Sequence, residues 1–488
     1  MTEKPNEMTI REAARALRAR ECSVRELWDA CIEAAKERNP ELRAYLEIFS
    51  ADDAAIAAAQ KRIDAEGEQA PALCGIPLAI KDNILIEGKT ASAASKMLEN
   101  YTATYDATVI SKLKSQNALF LGRTNMDEFA MGSSTEHSAF GPTKNPLDTA
   151  RVPGGSSGGS AAAVVAHMAI AALGSDTGGS IRQPAAFTGI AGLKPTYGAV
   201  SRAGLIALGS SLDQIGPLAK TAGDARILYE AIRGRDTLDS TTIPDGLYPV
   251  RDVPGRMRVG VPRHLLGEGV DADVRAAFDT ALDSLARAGH ALVDVELPTS
   301  IHALAAYYVI MPAEASTNLA RLDGIRYGHA PRGETLLDDY LLARTEGFGE
   351  ETRRRILLGT FALSSGYIDA YYRKADAARA VLRQEYDDAF QKTDIIAFPT
   401  TPTPAFAFGE KSDPLAMYLG DIFTITANLT GMPALSVPMG LVERAGKRLP
   451  VGIHFTAPHQ AEDVLFALAD EVSFSDKASF PRSPEANA

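Results

Sequence analysis

The run Gly154-Gly155-Ser156-Ser157-Gly158-Gly159-Ser160, followed by Ser175-Asp176-Thr177-Gly178-Gly179-Ser180-Ile181-Arg182, decides how the rest of the chain is read. Between the two Gly/Ser turns lies an apolar segment, Ala161 to Leu173, long enough for one helix and one short strand that would bring both turns to the same end of a sheet. A third element, Gly75-Ile76-Pro77-Leu78-Ala79-Ile80-Lys81-Asp82-Asn83, closes an apolar strand-like run on a lysine. The two-residue period of a strand sends Lys81 and Asp82 to opposite faces, which leaves Lys81 without its neighbour as an ion-pair partner. A lysine at the mouth of a core strand is a candidate base.

Upstream, Thr9-x-x-Glu12 and Ser23-x-x-Glu26 are capping boxes followed by apolar residues at helical spacing, which predicts two amphipathic helices within residues 9–36. Strands are expected over 44–49, 78–80 and 118–122, and helices over 51–65 and 107–115. Residues 189–216 read as a long irregular segment rich in Gly and Ser, a length that is usually functional inside a compact domain. The polar stretch 234–256, with Pro244, Pro249 and Pro254, is the expected linker. A strand over 258–261, a helix over 272–288 and a strand over 291–297 resume the alternation. Residues 300–391 are mostly helical, and strands at 395–398, 435–437 and 452–455 return to the sheet. Repeated β–α order predicts an α/β protein with a largely parallel or mixed sheet. The helical stretch is then an elaboration of one domain, 1–488, whose catalytic core spans about 70–235.

At 488 residues the chain exceeds the usual size of a single core, so it holds either several domains or one unusually large one. Hydrophobic residues make up 45% and charged residues 23%, ordinary for a globular protein, and the longest apolar runs break too soon to span a bilayer. The polar first residues carry no hydrophobic signal core, so a cytoplasmic location is expected. Three cysteines with no C-x-x-C pair argue against a disulfide framework and a cysteine-rich zinc site. No metal is expected. The formal charge of −12 excludes a chain that grips nucleic acid unaided. By local context Arg353-Arg354-Arg355 would be a solvated helix face.

The Gly/Ser turns admit several chemistries, and residue types separate them. A P-loop needs a lysine where Ser160 stands. Gly155-Ser156-Ser157-Gly158-Gly159 fits G-x-S-x-G with Ser157 as nucleophile, but the required histidine would be His454 or His459, neither in a distinctive context. Asp176 to Ser180, at a strand end before a helix start, can form a nest of N–H groups able to hold an oxyanion. Acyl chemistry is favoured.

These two turns, with Lys81 upstream and Gly192-Leu193-Lys194-Pro195-Thr196 downstream, resemble the amidase signature family. The resemblance implies the amidase signature fold, a large mixed β-sheet core flanked by helices on both faces. It implies Ser180 as nucleophile, Ser156 as the serine that relays the proton, Lys81 as base and a cis peptide before Ser156. The oxyanion donors would be the N–H groups of Thr177, Gly178 and Gly179, with Ser180 beside them. The chemistry is coherent, because a serine hydroxyl needs a base and lysine serves as one only when burial keeps it neutral.

Segments outside that core narrow the resemblance: Met126 to Gly132, Ser211 to Pro217, Arg321 to Gly328 and Leu358 to Tyr367 are similar to the A subunits of aspartyl/glutamyl-tRNA amidotransferases. That likeness implies glutamine hydrolysis to glutamate and ammonia. The ammonia would pass to the B subunit, a partner that uses ATP and Mg on the tRNA-linked carboxylate, and a small C subunit would stabilise the pair. No cofactor is implied for this chain, and aminoacyl-tRNA is met mainly through the partner. Arg355, Asp421 and Tyr307 match positions that bind the glutamine α-carboxylate and α-ammonium. Ala203, where an aromatic is common, and Ile453-His454-Phe455, in place of a glutamine-containing strand, depart from the pattern. The alternative is a free-standing amidase of the same family acting on another small amide.

Overall fold

Eleven strands lie side by side in one mixed sheet in the computed structural model, which describes residues 4–248, 253–267 and 269–472. They are β1 (Tyr45–Ile48), β2 (Pro77–Lys81), β3 (Leu119–Thr124), β4 (Ala171–Asp176), β5 (Ala191–Lys194), β6 (Gln214–Ala219), β7 (Arg258–Val261), β8 (Ala291–Asp294), β9 (Ile395–Pro399), β10 (Ala434–Arg444) and β11 (Lys447–Thr456). Their order is β1-β3-β2-β4-β6-β5-β10-β11-β9-β7-β8. Two parallel groups, β3-β2-β4 and β9-β7-β8, are joined through antiparallel β6, β5, β10 and β11. Every residue of β2, β4, β5, β6 and β9 is buried, so both faces of the central sheet are covered, as near-continuous apolar strands require.

Local signals account for many elements. Both capping boxes form, starting helices Ile10–Arg18 and Val24–Leu42, and helix Ala272–Ala288 ends on left-handed Gly289. Helices Ala303–Asn318, Leu336–Gly347, Glu350–Leu363 and Tyr372–Phe390 supply the helical part. No helix among the described residues is long and apolar enough to cross a membrane.

Two expectations are corrected. Residues 189–216 are irregular only in the middle, because β5 and β6 occupy the two ends. The glycines there serve close packing: a Cβ on Gly216 would sit 2.1 Å from the Leu193 carbonyl oxygen. Strands expected at 435–437 and 452–455 are the inner halves of β10 and β11, which run on as an antiparallel hairpin turning at Ala445 and Gly446, both at positive φ. In the stretch 234–256 the Gly234 and Ile243 N–H groups donate to the carbonyls of Ala199 and Gly198 at 2.9 Å each. Arg202 pairs with Asp239 there. Pro249 lies outside the described residues.

Candidate active site

Helix Gly158–Val165 begins directly after the first Gly/Ser turn, and β4 runs back to end at the second. Both turns therefore meet at one end of the sheet, where β2 ends in Lys81. The Gly155–Ser156 peptide is cis. The Ser157 N–H donates to the Ser180 carbonyl at 3.1 Å, which ties the turns together.

Lys81 is fully buried. Its Nζ donates to Ser156 Oγ at 2.8 Å, Ser157 Oγ at 2.9 Å and Ser175 Oγ at 2.9 Å. Asp82 turns away and pairs with Arg123 and Ser92. Burial pulls the Lys81 amine down to about 7, while Asp127, Asp176 and Asp213 oppose the shift from a distance. A buried amine beside uncharged hydroxyls is thus kept close to neutrality at physiological pH. Ser156 is fully buried and Ser180 retains 7% exposure. Their hydroxyls are not hydrogen-bonded to one another in this structure; the link between them is the backbone contact from Ser157.

The Ser180 turn is built on Asp176. Its carboxylate accepts from the Gly179 N–H at 2.9 Å, the Ile181 N–H at 3.1 Å, Asn428 Nδ2 at 2.9 Å and both Nε and Nη2 of Arg182 at 3.0 and 2.9 Å. Burial alone would raise this carboxyl, but the Arg182 charge and hydrogen bonds hold it well below the usual carboxylate range. Of the expected oxyanion donors, the Gly179 N–H is bonded to Asp176 Oδ1 in this structure. No acceptor among the described residues takes the N–H of Thr177 or Gly178. Thr177 is held through its Oγ1, which donates to Asp213 at 2.7 Å. Glycine is required here by close approach, since a Cβ on Gly178 would lie 2.7 Å from the Tyr307 ring and one on Gly179 2.3 Å from Thr424 Oγ1.

Arg355, Asp421 and Tyr307 are all buried. Of the arginine run, only Arg353 is fully on the surface, so the solvated-face expectation fails for Arg355. Arg355 Nε donates to Glu351 Oε1 at 2.7 Å, and its guanidinium lies 5.4 Å from the Tyr308 ring and 5.3 Å from the Tyr418 ring. Asp421 accepts from Ser133 Oγ, and burial pushes its carboxyl up to about 7. Thr424 Oγ1, shared between the carbonyls of Asp421 and Gly178 at 3.0 and 2.6 Å, connects this region to the Ser180 turn.

Two adjacent residues brace the arrangement. The Asp127 N–H donates to the Ser156 carbonyl, and its carboxylate accepts from the Thr135 N–H at 2.9 Å. The Glu128 carboxylate accepts from Ser95, from the Gly349 N–H at 2.8 Å and from Thr352 Oγ1 at 2.6 Å, at the start of the helix that carries Arg355.

Sequence reasoning missed Ser175, Asn83, Ser133, Glu351, Tyr308 and Tyr418. Ser133, adjoining Met126–Gly132, could have been found from that segment. Of the two histidines that an elbow could use, His454 is buried against Arg182 Nη1, and burial with that charge disfavours its protonated form. Ser157 Oγ donates to the Ser175 carbonyl. Among the described residues no cluster of three His, Cys, Asp or Glu side chains could hold a metal.

The profile of the amidase family matches residues 26–466. The A subunit of glutamyl-tRNA(Gln) amidotransferase from Koribacter versatilis is 49% identical over 476 residues, spanning 96% of this chain and 98% of the relative. The crystal structure of the A subunit of glutamyl-tRNA(Gln) amidotransferase from Thermotoga maritima is 41% identical with a TM-score of 0.77, covering 96% of this chain and 94% of that one. Native peptide amidase from Stenotrophomonas maltophilia is 28% identical with a TM-score of 0.78, covering 95% and 96%. On these likenesses, and with both serine turns and the buried lysine gathered at one end of the sheet, the chain belongs to the amidase family.

Proposed function

We propose that this chain is the glutaminase subunit of a tRNA-dependent amidotransferase, working in the cytoplasm. The observation that carries the chemistry is Lys81, buried, held near neutrality and 2.8 Å from Ser156 Oγ. Ser180 Oγ attacks the side-chain amide carbon of glutamine, its proton passes to Ser156, and the Ser156 proton passes to Lys81. The carbonyl oxygen, now negative, faces the free N–H groups of Thr177 and Gly178. Collapse of this adduct breaks the C–N bond, and the nitrogen leaves as ammonia with the proton returned from Lys81 through Ser156. The γ-glutamyl ester left on Ser180 is hydrolysed by water through the same relay, giving glutamate and free Ser180. The side chains of Ser180 and Ser156 come together when substrate enters, since such contacts tighten in the complex.

Arg355 takes the substrate α-carboxylate and Asp421 its α-ammonium, with Tyr307 packed beside the Ser180 turn. An approaching cation ionises Asp421. Ammonia is passed to the B subunit, which with ATP and Mg converts Glu-tRNA(Gln), Asp-tRNA(Asn) or both; the C subunit completes the assembly, and tRNA is held mainly by the partner. The full-length likeness to A subunits supports this role. One continuous sheet on either side of 234–256 supports reading 1–488 as a single amidase domain.

The test is ammonia release from glutamine, and Gln-tRNA formation, by the chain alone and with the B and C subunits. Ser180→Ala and Lys81→Ala abolish glutamine hydrolysis, while added ammonium still supports Gln-tRNA formation by the Ser180→Ala complex. Full hydrolysis in either variant refutes the mechanism. Rapid turnover of varied amides by the lone chain, unaffected by partners, replaces this reading with the free-standing amidase.

A further inference from the structure

Lys81 has more oxygen neighbours than a relay to one serine requires. Besides Ser156 Oγ, its Nζ faces Ser157 Oγ at 2.9 Å, Ser175 Oγ at 2.9 Å and the Ser175 carbonyl at 3.2 Å. An ammonium has three N–H donors, and a neutral amine has two with one lone pair. Lys81 can accept a proton only in the neutral form, and only from the group its lone pair faces.

The hydroxyls can be assigned by counting. Ser157 Oγ donates its proton to the Ser175 carbonyl at 3.1 Å and accepts from the Ser175 N–H at 3.4 Å. Toward Lys81 it can therefore only accept. Ser175 Oγ is free to do either, and if it donated into the lone pair it would compete with Ser156. Asn83, two residues beyond Lys81 and buried, resolves the choice. Its amide lies 2.9 Å from Ser175 Oγ through Nδ2, and its Oδ1 is buried with no hydrogen-bond partner in the structure. Asn83 Nδ2 donates into one lone pair of Ser175 Oγ, and Lys81 Nζ at 2.9 Å occupies the other. Ser175 then offers Lys81 only an acceptor.

We infer that Ser157 and Ser175, the latter oriented by Asn83, are positioning residues that accept the two N–H groups of neutral Lys81 and so aim its lone pair at Ser156. The charges acting on the amine, Asp127, Asp176 and Asp213, favour its protonated form but do not set its direction. The inference rests on Lys81 being the base.

The experiment follows the pH profile of glutamine hydrolysis by the full chain assembled with its partner subunits. The variants are Ser157→Ala, Ser175→Ala and Ser175→Thr, with Lys81→Ala as control. In each alanine variant kcat on the alkaline plateau falls about 10²-fold with KM unchanged, the scale of a misaligned reacting group. The acid limb moves to lower pH, because an ammonium that loses an acceptor gives up its proton more easily. Ser175→Thr, which keeps the hydroxyl, recovers most of kcat. A role confined to charge would move the limb without lowering the plateau. Plateau kcat within about twofold of the parent in either alanine variant, with Lys81→Ala inactive, overturns the inference. An active Lys81→Ala overturns the assignment of the base instead.

Discussion

Replacing Lys81 by methionine removes a buried amine whose affinity for protons has been lowered from 10.5 to about 7, chiefly by burial. Between those limits the unfolded chain binds a proton that the folded chain does not, so stability rises with pH across that window. The penalty is full below the folded value and vanishes above the unfolded one. Each unit is worth about 1.36 kcal/mol, so from about pH 7 to about pH 9.5 the parent gains roughly 3 kcal/mol relative to Lys81→Met. The unpaired serines left by the substitution add an offset that does not titrate. Lys194 and Lys220, drawn by burial to about 7 and about 8, are common to both proteins and cancel in the difference. The assay is paired chemical denaturation at several pH values in this range. A difference in unfolding free energy that stays constant to within about 1 kcal/mol would mean that folding leaves the amine with its ordinary proton affinity, and would refute the case for a neutral base.

Arg355→Lys keeps a charge but loses the planar fork, so KM for glutamine rises about tenfold or more with kcat little changed in steady-state assays. Arg182→Met leaves Asp176 buried without its counter-charge, which costs about 3–5 kcal/mol in denaturant unfolding.

Much of this molecule is legible in its sequence because the signals are local. The capping boxes at Thr9 and Ser23, the apolar run into Lys81 and the Gly289 stop each act within a few residues. The hairpin of β10 and β11 was only half visible, since its outer part carries Glu443, Arg444, Lys447 and Arg448 and turns on Ala445-Gly446 rather than on a strong turn pair. Residues 189–216 misled because a glycine inside a strand, placed where another backbone approaches, looks the same in sequence as a glycine in a loop. At the site, the motif named the residues proposed as the triad, but not the occupied Gly179 N–H or the hydroxyls around Lys81. Those depend on which groups face each other across strands and turns distant in sequence, and residue type alone cannot state that. Arg355 shows the same limit: three arginines in a row look alike until the helix turns one inward.

Asp127 and Glu128 hold opposite ends of the candidate site, one bound to the backbone of Ser156 and the other to the first turn of the helix bearing Arg355. Because the two residues are consecutive, one peptide bond joins the residue that fixes the backbone of Ser156 to the residue that fixes the start of the helix bearing Arg355. On the glutaminase reading, any shift of this one segment moves the backbone of the relay serine and the helix of the carboxylate-binding arginine together, so nucleophile activation and substrate positioning are mechanically linked.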